Sequence, residues 1–316
     1  RDEPALLHYF RAILDAQRER RWLDDASTEP GLRQMVRHAM GYVARGRHAW
    51  FEAALQPLRS GNAAEPGRVE RALAAYLRER DEPPADPRQR ASFLYVPQLG
   101  DAPFFDHVHD RARFEWLDEL LARVAGCGDE VAACLADPPE AAPATASPFS
   151  LDNLIRGGAA ARDAPPPERH VSFHQRGLLN EVARTRAPRL LAALAETPLV
   201  HIPRHGPDAT LVALEPGARS SLRHGRTNSR CGVAVGLPGS ARMRVLVGGE
   251  ARALDAGEAC VFDPVFGFEY VNDGDSQARL LAFEVWHPGL TPPEREAITA
   301  ITGAAVEFDS RLQDLA

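Results

Sequence analysis

The chain has 316 residues, 44% of them apolar, with 37 basic and 44 acidic side chains and a formal charge of −7, enough for one large or two modest cores. This mildly acidic balance gives no electrostatic footing for nucleic acid or an anionic membrane. Every basic residue of the Lys+Arg set is arginine, so neither a Schiff-base lysine nor a phosphate-loop lysine is available.

Taken in chain order, the first 90 residues read as a helical region. Residues 5–17 form an amphipathic segment followed by a charged run. Leu32, Met35, Val36, Ala39, Met40 and Val43 then recur at helical spacing, and Trp50, Ala53, Ala54 and Leu58 continue it to the Ser60-Gly61 break. Val69, Leu73, Tyr76 and Leu77 give a further helix. Residues 88–106 form a connector anchored by Phe93, Tyr95, Phe104 and Phe105. His107 and His109 alternate with Val108, as a strand would present a metal pair, but no third ligand accompanies them. A single helix is expected over residues 114–135, with Trp116, Leu117, Leu120, Leu121 and Val124 on its apolar stripe.

Residues 137–148 are rich in Pro and Ala, and residues 157–167 in Gly, Ala and Pro, so both read as loops or lids. A short strand at 171–173, an irregular segment at 178–182 and a helix at 188–195 follow. From Val212 to Pro288 short apolar runs alternate with Gly and Pro turns, and Gly248-Gly249 closes a hairpin. That spacing points to an antiparallel double sheet of jelly-roll or cupin kind. A helix at 292–301 and a polar tail from Val306 end the chain. Cys127, Cys134, Cys231 and Cys260 form no Cys-x-x-Cys pair and read as small core residues. No apolar run reaches the roughly 18 residues of a membrane span, and a cytoplasmic protein is expected.

Five motifs occur in order: Glu215-Pro216-Gly217, the run Gly225-Arg226-Thr227-Asn228-Ser229-Arg230, Gly236-Leu237-Pro238, Val261-Phe262-Asp263, and Val285-Trp286-His287-Pro288. Together they resemble the aspartyl/asparaginyl β-hydroxylase family. The resemblance implies a double-stranded β-helix that holds Fe(II) and 2-oxoglutarate. The expected architecture is therefore α+β: a jelly-roll or cupin-like C-terminal core over residues 91–295, an N-terminal helical layer over 1–90, and a helix end and tail over 296–316.

By that resemblance the first iron-binding histidine falls on Arg223 and the second on Phe268. The family's 2-oxoglutarate anchors fall on Val212, Gly232, Ala234 and Ala278, with Arg279 beside the last. A guanidinium has no acceptor lone pair and cannot ligate iron. The expectation is thus a metal-free site without cofactor. The alternative keeps Fe(II) and 2-oxoglutarate, with His224, His201 and His205 as displaced ligands and Arg279 gripping the cosubstrate.

Strand alternation from Arg223 places Arg219 and Ser221 on its face, brings Arg230, Gly232 and Ala234 inward together, and groups Phe266, Phe268 and Tyr270. Arg223, Arg230 and Tyr270 are the candidate catalytic groups. Ser221, Asn228, Gly232, Ala234, Phe266, Phe268 and Arg279 are candidate ligand contacts. If Arg223 is satisfied internally, Asp263 or Glu269 is its expected partner. Trp286 and His287 read as structural.

The leading functional reading is a metal-independent enzyme of bacterial specialised metabolism. It would act on an anionic or oxygen-rich, partly apolar small molecule or peptide-derived intermediate by cyclisation, isomerisation, elimination or hydrolysis. The rivals are a hydroxylase of an Asp-like residue using the displaced ligands, and a non-catalytic ligand-binding or partner protein. The oligomeric state stays open.

Overall fold

A computed structural model describes residues 29–60, 67–77, 79–136 and 168–314. The segment at 5–17 and the two Pro-rich and Gly-rich stretches lie outside the described residues. The chain divides into two compact units. In the first, helix α1 (Pro30–Ser60) starts where Glu29 accepts the Gly31 and Leu32 backbone N–H groups, each at 2.9 Å. Such a carboxylate satisfies donors that a helix start leaves without partners. Val36, Phe51 and Leu55 form its buried stripe. The tail expected from Val306 is instead helical. Helix α7 runs Pro292–Asp314, and Phe308 packs its ring 6.4 Å from that of Trp50.

In the second unit, helix α2 (Gly67–Tyr76) buries Val69, Ala72 and Leu73. The single helix expected over 114–135 is two, α3 (Glu115–Val124) and α4 (Gly128–Ala136). The break falls at Gly126-Cys127-Gly128, where two glycines disfavour helix continuation and Gly128 lies against Pro238. Helices α5 (Glu181–Arg186) and α6 (Pro188–Ala195) occupy the segment after the first strands. Buried Glu130 of α4 accepts from the Leu190 backbone N–H at 2.9 Å and from Arg189 Nε at 2.9 Å, tying α4 to α6.

Nine strands stand among the described residues: β1 (Glu168–Gln175), β2 (Leu178–Leu179), β3 (Ala209–Leu214), β4 (Arg230–Gly236), β5 (Met243–Val247), β6 (Glu250–Leu254), β7 (Ala259–Phe262), β8 (Phe268–Val271) and β9 (Ala278–Trp286). They form a six-stranded sheet in the order β2-β1-β3-β9-β4-β7 and a three-stranded sheet in the order β6-β5-β8. Every pairing among these strands is antiparallel.

Alternation sorts the large sheet into two buried faces. Leu211, Val233, Leu281, Phe283 and Val285 join a core shared with α3, α4 and α6. Val212, Leu214, Ala234, Ala278 and Leu280 join a second core with Val245, Phe262, Phe268 and Tyr270, between the sheets. Burial on both faces explains why β4 reads as a continuous apolar run rather than an alternating one. The result is an α+β fold with a cupin-like double-sheet core.

Candidate functional site

Arg223 and Phe268 stand directly opposite each other. The Arg223 N–H donates to the Phe268 carbonyl at 3.0 Å, and the Phe268 N–H donates back at 2.8 Å. Four residues earlier on the same segment, Arg219 bridges Val271, so the chain advances four residues on one side and three on the other. That mismatch is a bulge, and a bulge reverses the faces of the residues on either side of it. The alternation expected from Arg223 therefore fails. Arg219 pairs with Glu269 away from the inter-sheet core, Ser221 is exposed, and it is Ser220 that is buried.

The Arg223 guanidinium does not find Asp263 or Glu269. Its Nη2 donates to Glu168 Oε1 at 2.5 Å and lies 3.3 Å from His170 Nε2, which itself sits 2.9 Å from the same carboxylate oxygen. Glu168 and His170 occupy alternate positions of β1, opposite Leu214 and Val212. Burial opposes ionisation of Glu168, but the hydrogen bond to His170 and the charge of Arg223 outweigh it and hold the carboxyl below its ordinary range. The sequence reading missed both residues. The strand was recognised only at Val171–Phe173, and nothing in one sequence marks a partner more than fifty positions away.

A second ion pair faces the same core. Arg230 is buried, and its Nη1 donates to Glu284 Oε2 at 2.8 Å, while its Nε–H has no partner among the described residues. Glu284 keeps 30% of its side chain exposed. Tyr270 is buried in the inter-sheet core. Burial pushes its phenol well above the ordinary value, with Arg223 working against that shift and Glu168 and Glu284 adding to it. Tyr270 is thus held as a neutral phenol and is no base. Its ring lies 5.8 Å from that of Phe268, which lies 5.0 Å from that of Phe262.

The hollow expected at Gly232 is filled. A Cβ there would meet the Phe262 ring at 2.6 Å, and Ala234 is buried in the inter-sheet core. Phe266 lies in a 3-10 turn (Pro264–Phe266), not on the strand with Phe268, and stacks beneath the Arg88 guanidinium at 5.2 Å. Asn228 is a clamp: its Oδ1 accepts from the Val96 N–H at 2.7 Å and its Nδ2 donates to the Val96 carbonyl at 2.8 Å, fixing the connector. Arg279 shares its face with Leu281 and Phe283, opposite to that of Ala278, and donates to Gln277 at 2.9 Å. It does not enter the inter-sheet core.

The displaced histidines are not assembled either. His224 lies against Gly267, whose added Cβ would meet the imidazole at 2.6 Å. His205 is driven down to about 3 by burial and by Arg230, Arg226 and Arg176, while His201 is exposed. His109 is hydrogen-bonded to Asp106 rather than paired with His107. Among the described residues no group of three His, Cys, Asp or Glu side chains is placed to hold a metal ion. His287 is structural, its Nδ1 accepting the Gly289 N–H at 2.9 Å. The four cysteines are buried and free.

The ion pairs Arg223–Glu168 and Arg230–Glu284 are thus carried by a cupin-like double sheet. Residues 167–288 match the model of the aspartyl/asparaginyl β-hydroxylase family. Over 128 residues the chain is 29% identical to the human protein of that name and 30% identical to the mouse one. The match covers 40% of this chain and 17% of either relative, so the chain spans about a sixth of their length. Among solved structures it is similar to the cupin domain of an XRE family transcriptional regulator from Enterobacter cloacae, with 21% identity and a TM-score of 0.23, covering 25% of this chain and 81% of that one. It is also similar to a cupin-superfamily sugar phosphate isomerase from Silicibacter pomeroyi, with 25% identity and a TM-score of 0.22, covering 27% and 52%. At these scores the fold assignment rests on the sheet topology itself.

The family's Fe(II) and 2-oxoglutarate do not fit the donors present. Arg223 and Phe268 offer no lone pair where the two histidines belong. Gly232, Ala234 and Ala278 offer no donor to a carboxylate, and Phe262 lies over the first of them. No described helix is long and apolar enough to cross a membrane.

Proposed function

We propose that this domain is a metal-independent member of the hydroxylase scaffold that binds a small, partly apolar organic molecule and acts on it by proton transfer. The observation that carries the reading is Arg223, standing where the first metal ligand would be and held by Glu168 beside His170. A guanidinium can polarise a carbonyl or carboxylate through charge-assisted hydrogen bonds. The neighbouring imidazole, oriented by a carboxylate, can take a proton from the polarised molecule and return it to another atom. Isomerisation, elimination and cyclisation all need that exchange. Arg230 serves to position Glu284, and Phe268 forms the apolar floor. The substrate is oxygen-rich, as Arg223 demands, and of the size that a barrel opening admits.

A second reading, a ligand-binding protein without catalysis, is favoured by one feature: each guanidinium already meets a carboxylate. Arg223→Ala separates the two when turnover and binding are measured together on a candidate molecule. The catalytic reading expects turnover to fall by roughly 100-fold with the fold intact. Full activity in that variant would remove it, and binding without any conversion in the wild type would favour the second reading.

A further inference from the structure

We infer that this domain carries a second binding site, for a small aromatic carboxylate, in a cleft at the far end of β9 from Arg223. This site does not depend on the Arg223 reading.

The cleft encloses about 290 Å³, at the small end of the roughly 300–1,000 Å³ of ligand pockets. Four stretches distant in sequence build it. The 3-10 turn at Arg111–Arg113 and the start of α3 bring Arg113, Phe114 and Trp116, Pro198 follows α6, and the end of β9 brings Trp286. Arg295 joins them from the start of α7. The strand end is pinned there, because Leu199 bridges Val285 and the Trp286 N–H donates to the Pro198 carbonyl at 3.2 Å. Trp116 stands edge-on to Phe283 with ring centroids 6.3 Å apart, yet keeps part of its surface open. An aromatic side chain so held offers area to a planar ligand at little cost in entropy.

Charge sets the rest of the ligand's chemistry. Among the described residues, two guanidiniums line the cleft and no carboxylate does. Arg113 is exposed and meets Asp110 at 3.3 Å, a surface pair of little strength. Burial first, then Arg113, Arg68 and Arg295, hold the neighbouring His287 down at about 4. That imidazole stays neutral, and the positive potential belongs to the arginines. Apolar walls around one sign of charge concentrate the potential on an anion. The arginines thus favour a carboxylate over an amine, and the aromatic and proline lining favours a ring over a bare anion.

Strand register separates this cleft from the Arg223 pair. Glu168, the partner of Arg223, lies opposite Leu214, which lies opposite Ala278 at the start of β9. Trp286 ends that strand, about 27 Å away at roughly 3.4 Å per residue.

Calorimetric titration of the full chain with phenylacetate, its neutral amide and acetate tests the site. Phenylacetate should bind at least about tenfold tighter than either of the others, the loss expected for one charge-assisted hydrogen bond or for the ring. Arg113→Gln, an exposed change that leaves the fold intact, should weaken phenylacetate about tenfold and leave the amide unchanged. Trp116→Ala should weaken both, and Arg223→Ala neither. Equal affinity for acid and amide, loss of binding in Arg223→Ala instead of Arg113→Gln, or no binding at millimolar phenylacetate would overturn the inference. A dimeric wild type that becomes monomeric in Trp116→Ala, with no phenylacetate bound, would give the cleft to a second copy of the chain and overturn it as well.

Discussion

Asp263 closes β7 with a buried carboxyl that accepts from the Val265 N–H at 3.1 Å and from Gln89 Nε2 at 3.0 Å. Burial outweighs both hydrogen bonds and raises its pKa to about 6. The folded state therefore favours the protonated acid. Its contribution to stability is complete below the unfolded value near 3.8 and is lost as pH rises through about 6. Ionisation then costs the folded state up to about 3 kcal/mol at neutral pH. Asp263→Asn cannot titrate, so its stability relative to the wild type should improve by an amount of that order between pH 4 and pH 8. Denaturant midpoints across that range check it, and a pH-independent difference would show that the carboxyl is not desolvated as described. Arg223 illustrates what could be read at this scale without coordinates. The family resemblance placed it at the position of the first metal ligand, but its partner Glu168 lies on a distant strand and left no mark near it.

At the scale of elements, strand alternation carried the inward assignment on β4. Ala234 does face the inter-sheet core, and Ala278 rather than Arg279 shares that face. Alternation failed around Ser221 because a bulge inserts a residue without a sequence signal of its own, and at Phe266 because a 3-10 turn replaces the first turn of the expected strand. The register of the bulged segment makes a strong prediction. If positions 223 and 268 are cross-strand partners, the double variant Arg223→His with Phe268→His presents two imidazoles on one face. Such a pair should bind Ni(II) about tenfold or more tightly than either single variant. Equal affinity in all three proteins would mean that the two positions are not partners. Packing at Gly232 gives a second test. Gly232→Ala pushes a methyl into the Phe262 ring, a clash at 2.6 Å, and overpacking of this kind costs about 1–3 kcal/mol. In a Phe262→Leu background the cost should shrink by at least about 0.5 kcal/mol. Thermal unfolding of the four proteins measures the coupling, and an additive cycle would contradict the filled interior.

The whole molecule joins an architecture that was legible to a composition that was not. Short strands broken by Gly and Pro, with the five ordered motifs, were sufficient for the cupin-like double sheet, because a buried face repeats a local pattern. The two ion pairs and the aromatic cluster draw side chains from β1, β4, β8 and β9 and the segment before Gly225, strands far apart in the chain. By the family resemblance Arg223 and Phe268 stand where a hydroxylase would hold iron, and Val212, Gly232, Ala234 and Ala278 where it would hold its cosubstrate. The central claim is that this set binds neither. Anaerobic reconstitution with Fe(II), followed by elemental analysis and a 2-oxoglutarate titration on the same sample, tests it most directly. The account predicts no retained iron and no cosubstrate binding. One iron per chain with saturable 2-oxoglutarate binding would contradict it and restore the family's oxidative chemistry to this protein.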